Sequence, residues 1–166
     1  MEEQTAILQR LNGAGPSLER YLDTARQTLK ELIARPDLLA GMQLERRPGA
    51  YARNLICGDK SLSVWAIVWA PGAATPIHDH HCSCCFAVLA GSLREVWFDA
   101  IDASRAIRTV EHDRLPGFVA AMMPTGPNIH QMMNASDEEA ISIHVYGYDH
   151  RTCHSSIHRE YQRVAN

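Results

Sequence analysis

Pro76-Ile77-His78-Asp79-His80, with Cys82, Cys84 and Cys85 close behind, is a short apolar segment between turn signals and reads as a β-strand. Side chains of a strand alternate faces, so His78 and His80 point one way and Asp79 the other. Two imidazoles about 7 Å apart along one strand face can both reach a metal ion held a little above the sheet. Such a pair alone is as easily two hydrogen-bonded core or surface histidines. A third histidine, His130, strengthens the metal reading. It lies in a later apolar strand context, after a turn rich in Pro and Gly. The site closes only if the two strands are neighbours in one sheet.

The cysteines raise zinc as the competing ion, because His78, His80, Cys82 and Cys84 are all zinc-ligand types. On an unbroken strand these four would share a face yet stretch over roughly 20 Å, whereas zinc ligands all bond within about 2.0–2.3 Å. Only a sharp break near His81 to Ser83 rescues a zinc site, and no Gly or Pro stands there. No carboxylate joins the histidines either: Asp79 faces away, and no Glu follows His80 at short distance. Three neutral imidazoles leave the full 2+ charge on the ion, with room for an anionic ligand such as a thiolate.

Around this motif the 166-residue chain has the size of one domain with a real core. Hydrophobic residues at 46% and charged residues at 21% are ordinary for a globular protein. The net charge of −3 comes without a basic stripe, which argues against a nucleic-acid partner. No apolar run, Phe118 to Met123 included, is long enough to span a bilayer. Met-Glu-Glu-Gln at the start lacks the basic-then-apolar order of a signal peptide, so the expected location is cytoplasmic. Five cysteines, three within four positions, point to reduced thiols and local chemistry rather than a disulfide framework.

Upstream, residues 1–46 read as a helical segment. Glu3 to Leu11 forms a short amphipathic turn or two. Pro16 opens a second helix with Leu18, Leu22, Ala25, Leu29 and Leu32 at helical spacing, and Pro36 a third over Asp37 to Met42. From residue 47 the texture becomes short strand candidates: 51–57, 62–69, 75–80, 85–90, 93–98, 107–112, 118–123, 129–133 and 141–146. Turn signals such as Pro71-Gly72, Gly91-Ser92 and Thr125-Gly126-Pro127 separate them. This predicts an all-β core, a jelly-roll-type barrel over 47–166 with the helices packed on it, in a single domain. The C-terminal extension, residues 147–166, is polar and has no readable pattern.

Gly72 followed by His78-x-His80, and later Pro124-Thr125-Gly126 with His130-x-x-x-Asn134, resemble the two motifs of the cupin superfamily. A closer resemblance is to the cysteine dioxygenase family of cupin thiol dioxygenases, in its small bacterial-type form with an arginine-type pocket. It is carried in order by Tyr51-Ala52-Arg53-Asn54-Leu55, Trp69-Ala70-Pro71-Gly72, Ile77-His78-Asp79-His80, Cys85-Phe86, Gly91-Ser92-Leu93-Arg94-Glu95, Ser142-Ile143-His144-Val145-Tyr146 and Thr152-Cys153-His154. The resemblance implies Fe(2+) held by His78, His80 and His130, and oxidation of a thiol by both atoms of O₂ to a sulfinic acid. It implies that Arg53 binds the substrate carboxylate, a task for which a planar guanidinium suits better than an ammonium. Tyr51 shares that strand face and helps set the guanidinium. Cys85 and Tyr146 match the pair that forms a thioether beside the iron, and Ser142 and His144 match the hydrogen-bond chain that positions the tyrosine. His154 matches a position at the pocket edge.

The expected function is therefore a cysteine dioxygenase that converts L-cysteine and O₂ to cysteine sulfinic acid, a step of cysteine catabolism, as a monomer or weak homo-oligomer. Relatives specialised for 3-mercaptopropionate tend to carry glutamine where Arg53 stands, so arginine favours cysteine. Two alternatives remain: a dioxygenase for 3-mercaptopropionate or another thiol acid, and a non-catalytic metal-binding cupin.

Overall fold

The computed structural model describes residues 2–15, 17–123 and 128–165. The Thr125-Gly126-Pro127 turn and the Pro124-Thr125-Gly126 part of the second motif lie outside the described residues.

Helix α1 (Glu2–Asn12) is followed by α2 (Leu18–Ile33), whose N-cap is Ser17: its hydroxyl accepts the Arg20 N–H at 3.4 Å. Leu22, Ala25, Leu29 and Leu32 form the buried stripe that their spacing predicts. They pack on Ile56, Val64, Cys85 and Val145, so the helices cover one face of a sheet. Each fully buried leucine of this kind contributes about 1.5–3 kcal/mol. The third helix expected over Asp37 to Met42 does not form. That segment is a run of turns with bonds from Ala40 N–H to the Asp37 carbonyl and from Met42 N–H to the Leu39 carbonyl. Pro36 has no N–H to donate and Gly41 sits at φ +77°, which leaves too few residues to nucleate an α-helix.

The strands are β1 (Tyr51–Gly58), β2 (Ser63–Trp69), β3 (Ile77–His80), β4 (Cys84–Ala90), β5 (Leu93–Ala100), β6 (Arg105–Arg114), β7 (Val119–Met122), β8 (His130–Met133), β9 (Ala140–Tyr146) and β10 (Ile157–Val164). One sheet has the order β1-β2-β9-β4-β7; the other closes on itself as β10-β3-β8-β5-β6. The two enclose a pocket on the side away from the helices. Gly91 makes the tight β4–β5 turn at φ +68°, where a Cβ would stand 2.6 Å from the Glu139 carbonyl oxygen.

β10 lies in the tail whose sequence showed no pattern. Only Tyr161 of its eight residues is buried, so alternation is invisible in it. The strand nevertheless closes the ring, antiparallel to β3 and parallel to β6. It also grips the histidine strand from behind. Asp79, on the face away from His78 and His80, accepts from Arg159 N–H at 2.8 Å, Arg159 Nη2 at 2.8 Å and Tyr161 O–H at 2.9 Å.

Candidate metal centre

The neighbour relation that the site requires is present: β3 pairs with β8, and His78 lies directly opposite His130. Directly paired residues project to the same face, so His78, His80 and His130 converge with ring centroids 4.8–5.1 Å apart. All three are buried, and one ligand atom from each lies within 4.8 Å of the others. Among the described residues no other group of His, Cys, Asp and Glu gathers this way.

Two of the three imidazoles are oriented from behind. His78 Nδ1 donates to the Pro76 carbonyl at 2.9 Å, and His130 Nδ1 donates to Glu95 Oε1 at 2.9 Å. Each bond fixes the tautomer that leaves the other ring nitrogen free for a metal. His80 Nδ1 has no partner. Burial, then the neighbouring His130, pulls His78 down to about 4 and His80 to about 2, so both rings are neutral near pH 7. Three imidazole nitrogen donors with no carboxylate or thiolate among them fit a divalent transition metal that keeps open positions.

The chain breaks at His81–Ser83, in line with the separate strand candidates 75–80 and 85–90: β3 ends at His80 and β4 starts at Cys84. His81 N–H bonds the Ser156 carbonyl and Gly147 N–H bonds the Ser83 carbonyl, so backbone bonds to the segment after β9 turn the chain without Gly or Pro. The break does not make a zinc site: among the described residues the group close enough to share an ion is His78, His80 and His130, without Cys82 or Cys84.

Facing the imidazoles across the pocket are Tyr51, Arg53, Trp69, Cys84, His144 and Tyr146. The Arg53 guanidinium lies 4.3 Å over the Trp65 ring, donates to the His154 carbonyl at 2.6 Å and donates to the Tyr148 hydroxyl. Its Nε is buried without a partner. Tyr51 lines the same pocket, but its ring packs on Trp69 at 5.1 Å, and Tyr148 is the tyrosine that holds the arginine.

A hydrogen-bond chain runs along β9. Trp69 Nε1 donates to Ser142 Oγ at 2.8 Å, Ser142 Oγ meets His144 Nε2 at 2.8 Å, and His144 Nδ1 meets the Tyr146 hydroxyl at 3.0 Å. Indole is only a donor, so Ser142 satisfies its own proton by donating to His144. His144 Nδ1 then donates to the Tyr146 hydroxyl, whose own proton has Ser156 and Cys84, both at the pocket wall, within hydrogen-bonding reach. Burial and Cys84 hold that phenol well above its ordinary value, so it stays protonated.

Cys84 and Cys85 stand on opposite faces of β4. β4 pairs with β9 so that Cys84 opposes Tyr146, and Cys85 opposes Val145. Cys84 therefore lines the pocket within hydrogen-bonding reach of Tyr146. Cys85 faces the other way, into the core with Ala25 and Leu29 of α2. A one-residue slip reverses every side chain of a strand, and adjacent cysteines give no signal of which is inward. Sequence reasoning also missed the roles of Glu95, Tyr148 and Trp69. The available signal was a glutamate at an inward-facing position between Leu93 and Trp97.

The family model of cysteine dioxygenase type I matches residues 43–159. Among curated proteins, cysteine dioxygenase type 1 of Rattus norvegicus is 31% identical over 114 residues, covering 63% of this chain and 54% of that protein. The Homo sapiens enzyme of the same name is 31% identical over 109 residues with the same coverage. The chain thus spans about half the length of the curated relatives it matches. Among solved structures, a sugar phosphate isomerase from the cupin superfamily of Silicibacter pomeroyi aligns with TM-score 0.52 at 24% identity, over 63% of this chain and 71% of that one. A double-stranded β-helix protein of Klebsiella pneumoniae aligns with TM-score 0.51 at 18% identity, over 64% and 84%. Those two support the expected cupin fold alone. With the family model covering most of the chain, and a three-histidine centre in the barrel, the protein belongs to the cysteine dioxygenase type I family.

Proposed function

We propose that this protein is an iron-dependent thiol dioxygenase that takes L-cysteine and O₂ to cysteine sulfinic acid in the cytoplasm, working as a monomer. The observation that carries this reading is one pocket holding both a three-imidazole centre without an acidic ligand and an arginine braced on two sides. His78, His80 and His130 would hold Fe(2+). That ion, when bound, supplies a redox-active centre that can bring a thiolate and dioxygen together. Thiol plus O₂ gives sulfinic acid with every atom retained, so no outside reductant is needed.

The chain's own residues do the rest. Arg53 receives the substrate carboxylate, and its bonds to Tyr148 and the His154 carbonyl mean that little ordering remains to be done on binding. Tyr51 and Trp69 wall the pocket and exclude water. Tyr146, supplied with a proton by His144 and Ser142, presents its phenol O–H to the oxygen or sulfur atoms that become charged.

The test is anaerobic loading with ferrous iron, addition of L-cysteine, and measurement of O₂ uptake with mass analysis of the product. One O₂ per sulfinate is expected, with higher kcat/KM for L-cysteine than for 3-mercaptopropionate. Bound iron without O₂ uptake would identify a non-catalytic cupin, and a preference for 3-mercaptopropionate would overturn the substrate.

The pairing of Cys84 with Tyr146 supports a thioether at this position in place of one at Cys85. The bond would form by loss of one hydrogen from the thiol and one from the phenol ring, with two electrons passing to O₂. Intact mass after turnover should fall by two hydrogens, with the two peptides joined. The change should vanish in Cys84→Ser and persist in Cys85→Ser; persistence in Cys84→Ser would refute it.

A further inference from the structure

Glu95 is fully buried, and both of its oxygens are taken. Oε1 accepts from His130 Nδ1 at 2.9 Å, while Oε2 accepts from Arg114 Nε at 2.8 Å and Nη2 at 2.7 Å. Arg114 is itself seated 4.2 Å over the Phe118 ring. We propose that Glu95 is a positioning residue for the metal: by accepting the hydrogen bond from His130 Nδ1–H it sets how tightly the three-imidazole centre holds its ion, and Arg114 keeps it in that pose. This rests on the reading of His78, His80 and His130 as ligands.

The three histidines differ in what stands behind them. His78 donates to a neutral carbonyl and His80 Nδ1 has no partner; His130 alone donates to a carboxylate. A charge-assisted bond is roughly twice as strong as a neutral one, so His130 is the most firmly held of the three ligands. Glu95 also places a negative charge one ring away from a centre whose own ligands are all neutral. A lone buried carboxylate would be costly, and Arg114 compensates for it from the side opposite the imidazole. Both carboxylate oxygens being engaged, the group has no freedom to turn away from His130.

Cobalt(II) titration of metal-free protein, paired with thermal unfolding of the same metal-free samples, separates this role from a structural one. Glu95→Gln should lose affinity by about 10–100-fold. In the double variant Glu95→Gln/Arg114→Gln, removing both charges should restore stability relative to the single variant while affinity stays low. A purely structural ion pair predicts that affinity recovers with stability in the double variant, and that result would overturn the proposal. So would affinity within about twofold of the native protein in Glu95→Gln, well short of the loss typical of outer partners. If the glutamine variants do not fold, Glu95→Asp decides. It keeps the charge but is one methylene too short to reach both partners, so a several-fold loss supports the role and unchanged affinity refutes it. Failure of the native protein itself to bind cobalt would instead count against the metal centre.

Discussion

His80→Ala protein is expected to retain its fold, to lose stoichiometric metal and to show no measurable oxygen uptake with L-cysteine. His80 is the cleanest of the three ligands to remove because its Nδ1 bonds to nothing, so its loss strands no partner. His130→Ala would leave Glu95 and Arg114 facing a void, and His78→Ala would free the Pro76 carbonyl. A missing ligand should cost more than the about 10–100-fold in affinity that follows loss of an outer partner. Asp79, one residue away, predicts the opposite split. It touches Arg159 and Tyr161 of the closing strand and none of the ligands, so its loss falls on stability first. Metal content after dialysis against a weak chelator, with circular dichroism and thermal unfolding of the metal-free proteins, reads both quantities. His80→Ala protein that keeps one ion per chain and turns over cysteine would exclude this trio as the catalytic centre.

What was legible in advance followed from period and spacing. His78 and His80 two apart, with Asp79 between them, already placed two imidazoles on one face and the carboxylate on the other, and the hydrogen bonds of Asp79 agree. The helical stripe from Leu22 to Leu32 was equally plain, because its apolar positions repeat at the helix period. What failed depends on pairing between distant strands. That His130 lies opposite His78 is a register across 52 residues, and only the family resemblance anticipated it. β10 was invisible because its neighbours in the ring leave one inward side chain, Tyr161, to signal it. The choice between Cys84 and Cys85 turned on the β4–β9 register, which has a shift between Val88 and Ala90. Counting along one strand cannot recover such an irregularity. Glu95 quoted as part of a motif said nothing of its target, since its two partners come from β6 and β8.

Arg53→Gln is the other substitution with a large expected effect. The guanidinium is pinned by the Trp65 ring, the His154 carbonyl and the Tyr148 hydroxyl, and its Nε remains buried with no acceptor. A buried donor without an acceptor is a cost that a carboxylate ligand would remove. Glutamine keeps a donor in the pocket but removes the charge. Charge-assisted hydrogen bonds contribute about 1.5–3 kcal/mol, so kcat/KM for L-cysteine should fall about 10–150-fold. The control is cysteamine, the same thiol and amine without the carboxylate. If Arg53 acts on the carboxylate, the variant and native proteins should treat cysteamine alike, and the ratio of cysteine to cysteamine activity should collapse. 3-Mercaptopropionate, which keeps the carboxylate and lacks the amine, should lose about as much as cysteine does, because it loses the same charge-assisted bond. Equal losses on cysteine and cysteamine would mean that Arg53 serves the pocket as a brace for Tyr148 and the segment carrying His154, and that the carboxylate is read elsewhere.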